Sequence, residues 1–179
     1  MTIIELIIIS IGLGMDACSV SICKGLCMSK FNIYKAIVIS MWFATFQLLM
    51  PIIGYYFGNT FGSNIKTYSH LIAFILLIIL GINMIKESNE KDLSINDDVS
   101  VTSMIIPSVA TSIDALSVGV TFSLLDINIF SSSIIIFIIT FILSFIGVKI
   151  GEIFGSRYKS KAQVLGGIIL IFMGIKMFI

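Results

Sequence analysis

Two residues of this 179-residue chain, Asp16 and Asp114, invite a chemical reading before any other. Each stands deep inside an apolar segment, with mostly hydrocarbon side chains on both sides. An ionisable group at the centre of a membrane helix costs about 3 kcal/mol on insertion scales. Such a residue needs a function or a partner. Carboxylate oxygens suit hard or borderline divalent cations such as Mg²⁺, Ca²⁺ and Mn²⁺. Two carboxylates together neutralise one such ion, which removes most of the cost of bare charge in a low dielectric. The structural alternative is a pair of protonated polar residues that bond one helix to another.

Helical spacing extends both sites. Gly12, Asp16, Ser19 and Cys23 fall on one stripe, and Thr111, Asp114, Ser117 and Thr121 on another. The candidate ion ligands are therefore Asp16, Asp114, Ser19, Thr111 and Ser117. Each hydroxyl, that of Ser112 included, has an equally good structural role in bonding its own helix carbonyl. Ser112, Gln47, His70 and Cys23 are accessory candidates. Gln47 either satisfies a carbonyl freed by Pro51 or faces the cavity. His70, at the start of the third apolar segment, is an interfacial residue or a proton or metal contact near the exit. Cys23 and Cys27 offer thiolates to soft ions, and equally serve as small packing residues. The three cysteines, Cys18, Cys23 and Cys27, lie close together, so no disulfide framework is expected.

Paired aspartates also belong to intramembrane proteases, where one acid and one base share a proton. The run Gly12-Leu13-Gly14-Met15-Asp16 misses the Gly-x-Gly-Asp pattern by one residue, and no partner motif surrounds Asp114. Small-residue stripes fit a cation path better than a peptide groove, so no enzyme is expected.

The composition dictates the elements that hold these residues. The chain is 58% hydrophobic and 12% charged, with mean hydropathy +1.11. A soluble domain carries about 25% charged residues. That contrast excludes a soluble enzyme, a nucleic-acid binder and any large extramembrane domain. A net charge of +1 gives no field for a polyanionic partner. A crossing helix takes roughly 20 apolar residues. Apolar runs at 3–25, 33–57, 68–86, 103–125, 129–150 and 162–179 therefore predict six crossings, with the fifth and sixth separated at Ser156–Lys161. The N-terminal run, Met1-Thr2-Ile3-Ile4-Glu5, has no basic region, so the first segment reads as a retained helix.

One acidic stretch, with Glu87, Glu90, Asp92, Asp97 and Asp98, divides the chain. Residues 1–86 and 102–179 become two three-helix units, and 87–101 a cytoplasmic linker. Of the 11 Lys and Arg residues, nine lie in the odd-numbered loops. The positive-inside rule then puts those loops in the cytoplasm and both termini outside. The halves also match in order. Met15-Asp16-Ala17-Cys18-Ser19-Val20 aligns with Ile113-Asp114-Ala115-Leu116-Ser117-Val118. Gly54, Gly58 and Gly62 align with Gly147, Gly151 and Gly155, and Gly81-Ile82-Asn83-Met84-Ile85 with Gly174-Ile175-Lys176-Met177-Phe178. Three helices per unit give an inverted repeat, an arrangement of secondary transporters that bind substrate near the bilayer midplane.

At these residues the chain resembles the MntP-type manganese exporters, six-helix pumps of bacterial inner membranes. The resemblance rests on Gly14-Met15-Asp16-Ala17, Val20-Ser21-Ile22, Lys24-Gly25, and Ala110-Thr111-Ser112-Ile113-Asp114-Ala115-Leu116 with Val118-Gly119-Val120. Met50-Pro51 with Gly54, His70-Leu71-Ile72-Ala73-Phe74 and Leu165-Gly166-Gly167 extend it over essentially the whole chain. It implies an all-α integral membrane protein that exports Mn²⁺ as substrate, with Asp16 and Asp114 as ligands and no resident cofactor. Alternating access follows as the expected mechanism, with proton coupling through the two carboxylates. The implied partners are Mn²⁺ and the lipid bilayer, without nucleic acid, and no oligomeric state follows. Three positions depart from the pattern: Cys23 replaces a usual glycine, Gln163 an acidic residue and Asn83 a basic one. The wider superfamily leaves Cd²⁺, Zn²⁺, Fe²⁺ or a small amino acid as alternative substrates.

Overall fold

In lipid every backbone N–H and C=O must be satisfied within the segment, so an isoleucine-rich chain with few breaks becomes helical. The computed structural model describes residues 3–28, 30–61, 99–125 and 127–178, with helical backbone also at Ile75, Ile78, Ile79, Ile82 and Ile85. Those residues hold four long helices: α1 (Ile3–Leu26), α2 (Ile33–Phe61), α3 (Val101–Leu124) and α4 (Ile129–Phe178). Each contains a stretch long and apolar enough to cross a membrane, the last of them Ile129–Phe154. Asparagine side chains start two of the helices. Asn32 Oδ1 accepts the amide protons of Tyr34 and Lys35 at 2.9 and 3.3 Å, and Asn128 Oδ1 accepts that of Ser131 at 3.3 Å.

The surface is apolar and much of the interior is polar. Ile134, Ile138, Ile142, Ile146 and Ile150 recur every four residues along α4 and are exposed. Ile75, Ile79 and Ile82, in the third apolar segment, are exposed as well, spaced by four and three. Ser10, Ser21, Ser40, Ser108, Ser144, Thr140 and Gln47 are buried. With hydrocarbon as solvent, apolar burial between helices gains little, so small residues that allow close packing decide which helices meet.

Two helix pairs meet in this way, α1 with α4 and α2 with α3. A Cβ on Gly25 would strike the Val148 carbonyl, and one on Gly151 the Ile22 carbonyl. On Gly147 it would lie 2.7 Å from the Cys18 carbonyl oxygen. In the other pair, a Cβ on Gly54 would strike the Leu116 carbonyl and one on Gly119 that of Pro51. On Gly58 it would come within 3.1 Å of the Val120 Cα. Gly54–Leu116 followed by Gly58–Val120, and Cys18–Gly147 followed by Ile22–Gly151, rise together in number, so each pair is parallel. Short connections at 27–32 and 125–128 reverse the chain between α1 and α2 and between α3 and α4. Consequently α1 runs antiparallel to α3. Lys24, Lys30, Lys35 and Lys149 gather at one end of this bundle, near the C-terminus of α1.

The expected break at Ser156–Lys161 is absent: α4 is one helix of 50 residues. Charge and helix-breaking are different signals. Arg157, Lys159, Lys161 and Ala162 are good helix formers and no proline stands nearby, so the chain changes polarity without losing its backbone bonds. Pro51 likewise lies inside α2 without ending it. His70, Asn83, most of the third segment and most of the linker 87–101 lie outside the described residues.

Candidate functional site

Asp16 on α1 and Asp114 on α3 are both half-buried, and they lie close enough to interact electrostatically. Because their helices are antiparallel, the two matching motifs approach each other from opposite directions. Asp114 Oδ1 accepts the amide proton of Ala115 at 2.8 Å. Among the described residues no three His, Cys, Asp or Glu side chains cluster as a metal site. Around the two carboxylates, the oxygen atoms on these helix faces are those of neutral hydroxyl groups.

The hydroxyls divide into two kinds. Ser19 donates to the Met15 carbonyl at 2.9 Å, and Ser112 to that of Ser108 at 2.7 Å. Thr111 donates to the carbonyls of Pro107 and Ser108 at 3.0 and 3.3 Å, and Thr121 to that of Ser117 at 3.1 Å. These protons are used within their own helices, which leaves the oxygen lone pairs. Ser117 differs, since its buried hydroxyl has no hydrogen-bond partner among the described residues. Gln47 is fully buried and donates from Nε2 to the Leu13 carbonyl at 2.8 Å, a bond from α2 to α1. Its Oε1 has no partner among the described residues. Cys23 packs in an apolar cluster with Val20, Met28, Ile39 and Phe43.

The stripes differ along their length. On α1, Gly12 is exposed with no atom within 4 Å of its Cβ position, whereas Cys23 is buried. On α3, Thr111 is buried and Thr121 exposed. Antiparallel packing puts Gly12 and Thr121 toward the same end, away from the lysines. Both aspartate stripes are thus open on that side and covered on the other.

Spacing alone does not single out Ser21, Ser108, Ser133, Thr140 and Ser144, whose hydroxyls are buried without a partner among the described residues. The readable signal was a hydroxyl inside an uncharged, isoleucine-rich run, as at Thr140 and Ser144. Nothing in the sequence indicated that Gln47 would reach Leu13.

Comparison with known proteins decides the family. Residues 30–178 match the profile of the family described as "Putative manganese efflux pump". The chain belongs to the manganese efflux pump family. A relative from Acetivibrio thermocellus, named "Putative manganese efflux pump MntP", is 49% identical over 178 residues, 98% of this chain and 90% of its own. Relatives of the same name from Desulfitobacterium hafniense and Mannheimia succiniciproducens are 47% and 44% identical, over 97% and 98% of this chain and 92% and 95% of theirs. No solved structure matches the chain. The family is one of transporters and not of enzymes, and its several apolar helices are those of a multi-pass membrane protein.

Proposed function

We propose that the protein exports Mn²⁺ from the cytoplasm across the bacterial plasma membrane, holding the ion between Asp16 and Asp114. The observation that carries this reading is the approach of two half-buried carboxylates on antiparallel helices, each set within an apolar stretch. A divalent ion cancels their charge. Lone pairs of Ser19, Thr111 and Ser117 complete the oxygen set, and hard or borderline ions prefer oxygen. The packing of Cys23 among apolar side chains gives soft ions no matching support.

Alternating access is the mechanism we infer. The repeat comprises residues 1–86 and 102–179, joined by the cytoplasmic linker 87–101. The equivalence of the two glycine contacts supports it: Gly147 meets Cys18 as Gly54 meets Leu116, and Gly151 meets Ile22 as Gly58 meets Val120. These are the residues that the aligned motifs pair. Lysines at one end support that end as cytoplasmic, which puts the N-terminus outside. The open ends at Gly12 and Thr121 then face outward, and rocking of one repeat against the other opens the opposite side. Binding of protons to the emptied aspartates returns the carrier and couples export to the proton gradient.

Six crossings, with both termini outside, require α4 to open at 156–161 once a bilayer surrounds it. Fifty residues of helix are about 75 Å long, against about 30 Å of hydrocarbon core. A cysteine added after Ile179 should react with an impermeant maleimide from outside intact cells. Reaction only after lysis would sink the six-crossing topology.

Inside-out vesicles test the site. Wild-type protein should accumulate Mn²⁺, and Asp16→Asn or Asp114→Asn should lower uptake about 100-fold, the equivalent of roughly 3 kcal/mol in ion stabilisation. Undiminished uptake in both variants would remove the site and leave the transport. Uptake insensitive to collapse of the proton gradient would remove the coupling.

A further inference from the structure

We propose that Gln47 is a specificity-determining ligand, whose amide oxygen joins Asp16 and Asp114 on the transported cation and selects hard ions over soft ones. The proposal rests on the aspartate site above and deepens it.

Three observations converge on residue 47. Its side chain is fully buried, yet only one end of the amide is bonded: Nε2 donates to the Leu13 carbonyl at 2.8 Å and Oε1 has no partner among the described residues. The amide cannot simply be turned over. Reversal would set Oε1 against the Leu13 carbonyl oxygen, acceptor against acceptor. The α1 contact therefore fixes which end points away. A buried carbonyl oxygen without a donor is rare because it has lost water and gained nothing, and a cation is one partner that supplies what a donor would.

The position of the amide is the second observation. Leu13 precedes Asp16 by less than one helical turn, and its carbonyl points along α1 toward the level of that aspartate. On the other side, Gly54 meets Leu116 and Gly58 meets Val120 in a parallel contact, with Pro51 against Gly119 beside them. Following these contacts back along α2 brings Gln47 to the stretch of α3 between Val109 and Ala115, which holds Asp114. One residue thus lies within about a helical turn of the level of both carboxylates.

Third, Pro51 has no N–H to give to the residue four positions earlier, which is Gln47. The main-chain carbonyl of the same residue loses its intrahelical donor. Residue 47 brings two neutral oxygens, one of the side chain and one of the backbone, to a place where two carboxylates already balance a divalent charge. Carbonyl and carboxylate oxygens together suit Mn²⁺, Mg²⁺ and Ca²⁺, whereas Cd²⁺ gains more from sulfur.

Gln47→Met tests the assignment, because methionine keeps the unbranched length and replaces oxygen with thioether sulfur. Full-length variants are compared in inside-out vesicles with Mn²⁺ and Cd²⁺ as the two probes, beside wild type, Gln47→Leu, Asp16→Asn and Asp114→Asn. We expect Gln47→Met to shift the Cd²⁺ to Mn²⁺ ratio of kcat/KM by about 10-fold toward Cd²⁺. Gln47→Leu should raise the Mn²⁺ KM about 10-fold. A structural role predicts something else: both ions fall by the same factor in both variants, and that result overturns the proposal. Unchanged transport of both ions overturns it too. If the Gln47 variants leave the ratio alone while the aspartate variants abolish uptake, only the role of Gln47 fails. If the aspartate variants transport normally, the site itself fails and Gln47 with it. Should Gln47→Leu not accumulate, the Gln47→Met ratio decides alone, since a ratio measured on one preparation is independent of its yield.

Discussion

The α1/α4 and α2/α3 interfaces share a backbone design and differ in their polar atoms. Both are parallel, and in both a glycine on one helix lies against a main-chain carbonyl on the other. Seven residues before the first contact glycine, however, α2 has Gln47 and α4 has Thr140. Three residues before it, α2 has Pro51 and α4 has Ser144. Thr140 and Ser144 are buried hydroxyls without partners among the described residues, small enough to lie within the contact. Gln47 is longer and leaves its own interface to reach α1. The comparison teaches that two helix pairs can share a backbone contact and differ in chemistry. Small residues shape both contacts, and in one of them a longer side chain leaves the contact to connect the two pairs.

Several measurements break or sharpen that comparison. The largest effect belongs to the shared part. Gly54→Val and Gly151→Val should each prevent stable folding, costing about 3 kcal/mol or more, because the added atoms meet backbone that cannot rotate away. Loss of helical circular dichroism on mild heating in detergent reads this out. If one variant melted like wild type, the two contacts would not be equivalent. Gly147→Ala should cost less, about 1–2 kcal/mol, since its new Cβ meets the Cys18 carbonyl at 2.7 Å rather than more closely.

Transport separates the parts that differ. Ser117→Ala removes a buried hydroxyl that has no protein partner, and should weaken Mn²⁺ uptake about fivefold if that oxygen serves the ion. Ser19→Ala should change uptake by less than about twofold, because most of what it removes is a bond to its own helix. A larger loss at Ser19 than at Ser117 would reverse the ligand order. Thr140→Val should leave uptake as it is and raise the melting temperature slightly, as an unpartnered buried hydroxyl gives way to a methyl group. The smallest effect is at Gly12, where nothing lies within 4 Å and Gly12→Ala should stabilise α1 by about 1 kcal/mol or less.

The sequence was most legible where a residue type contradicts its surroundings. Asp16 and Asp114 stand out because charge in hydrocarbon is expensive whatever the fold, and the glycine triplets stand out because bare backbone serves close contact. The first three described helices follow the apolar runs within a few residues for the same reason. Helix continuity was less legible. The charges at 156–161 mark an exit from hydrocarbon, but charge does not interrupt backbone hydrogen bonds, and α4 continues through them. Hydroxyl roles were not legible: Ser19 and Ser117 align in the two matching motifs, yet one bonds its own helix and the other has no partner among the described residues.

Composition and pattern determined that this chain lives in lipid, and they single out two carboxylates in apolar surroundings and matching motifs in its two halves. These properties follow from the cost of each residue in hydrocarbon, a local quantity that needs no coordinates. Tertiary structure decided which helices pair, which hydroxyls stay unbonded, and which way the amide of Gln47 points. Each of those depends on atoms far apart in the chain, Leu13 and Gln47 above all. Periodicity identifies the face of a helix, but only packing chooses what that face will meet.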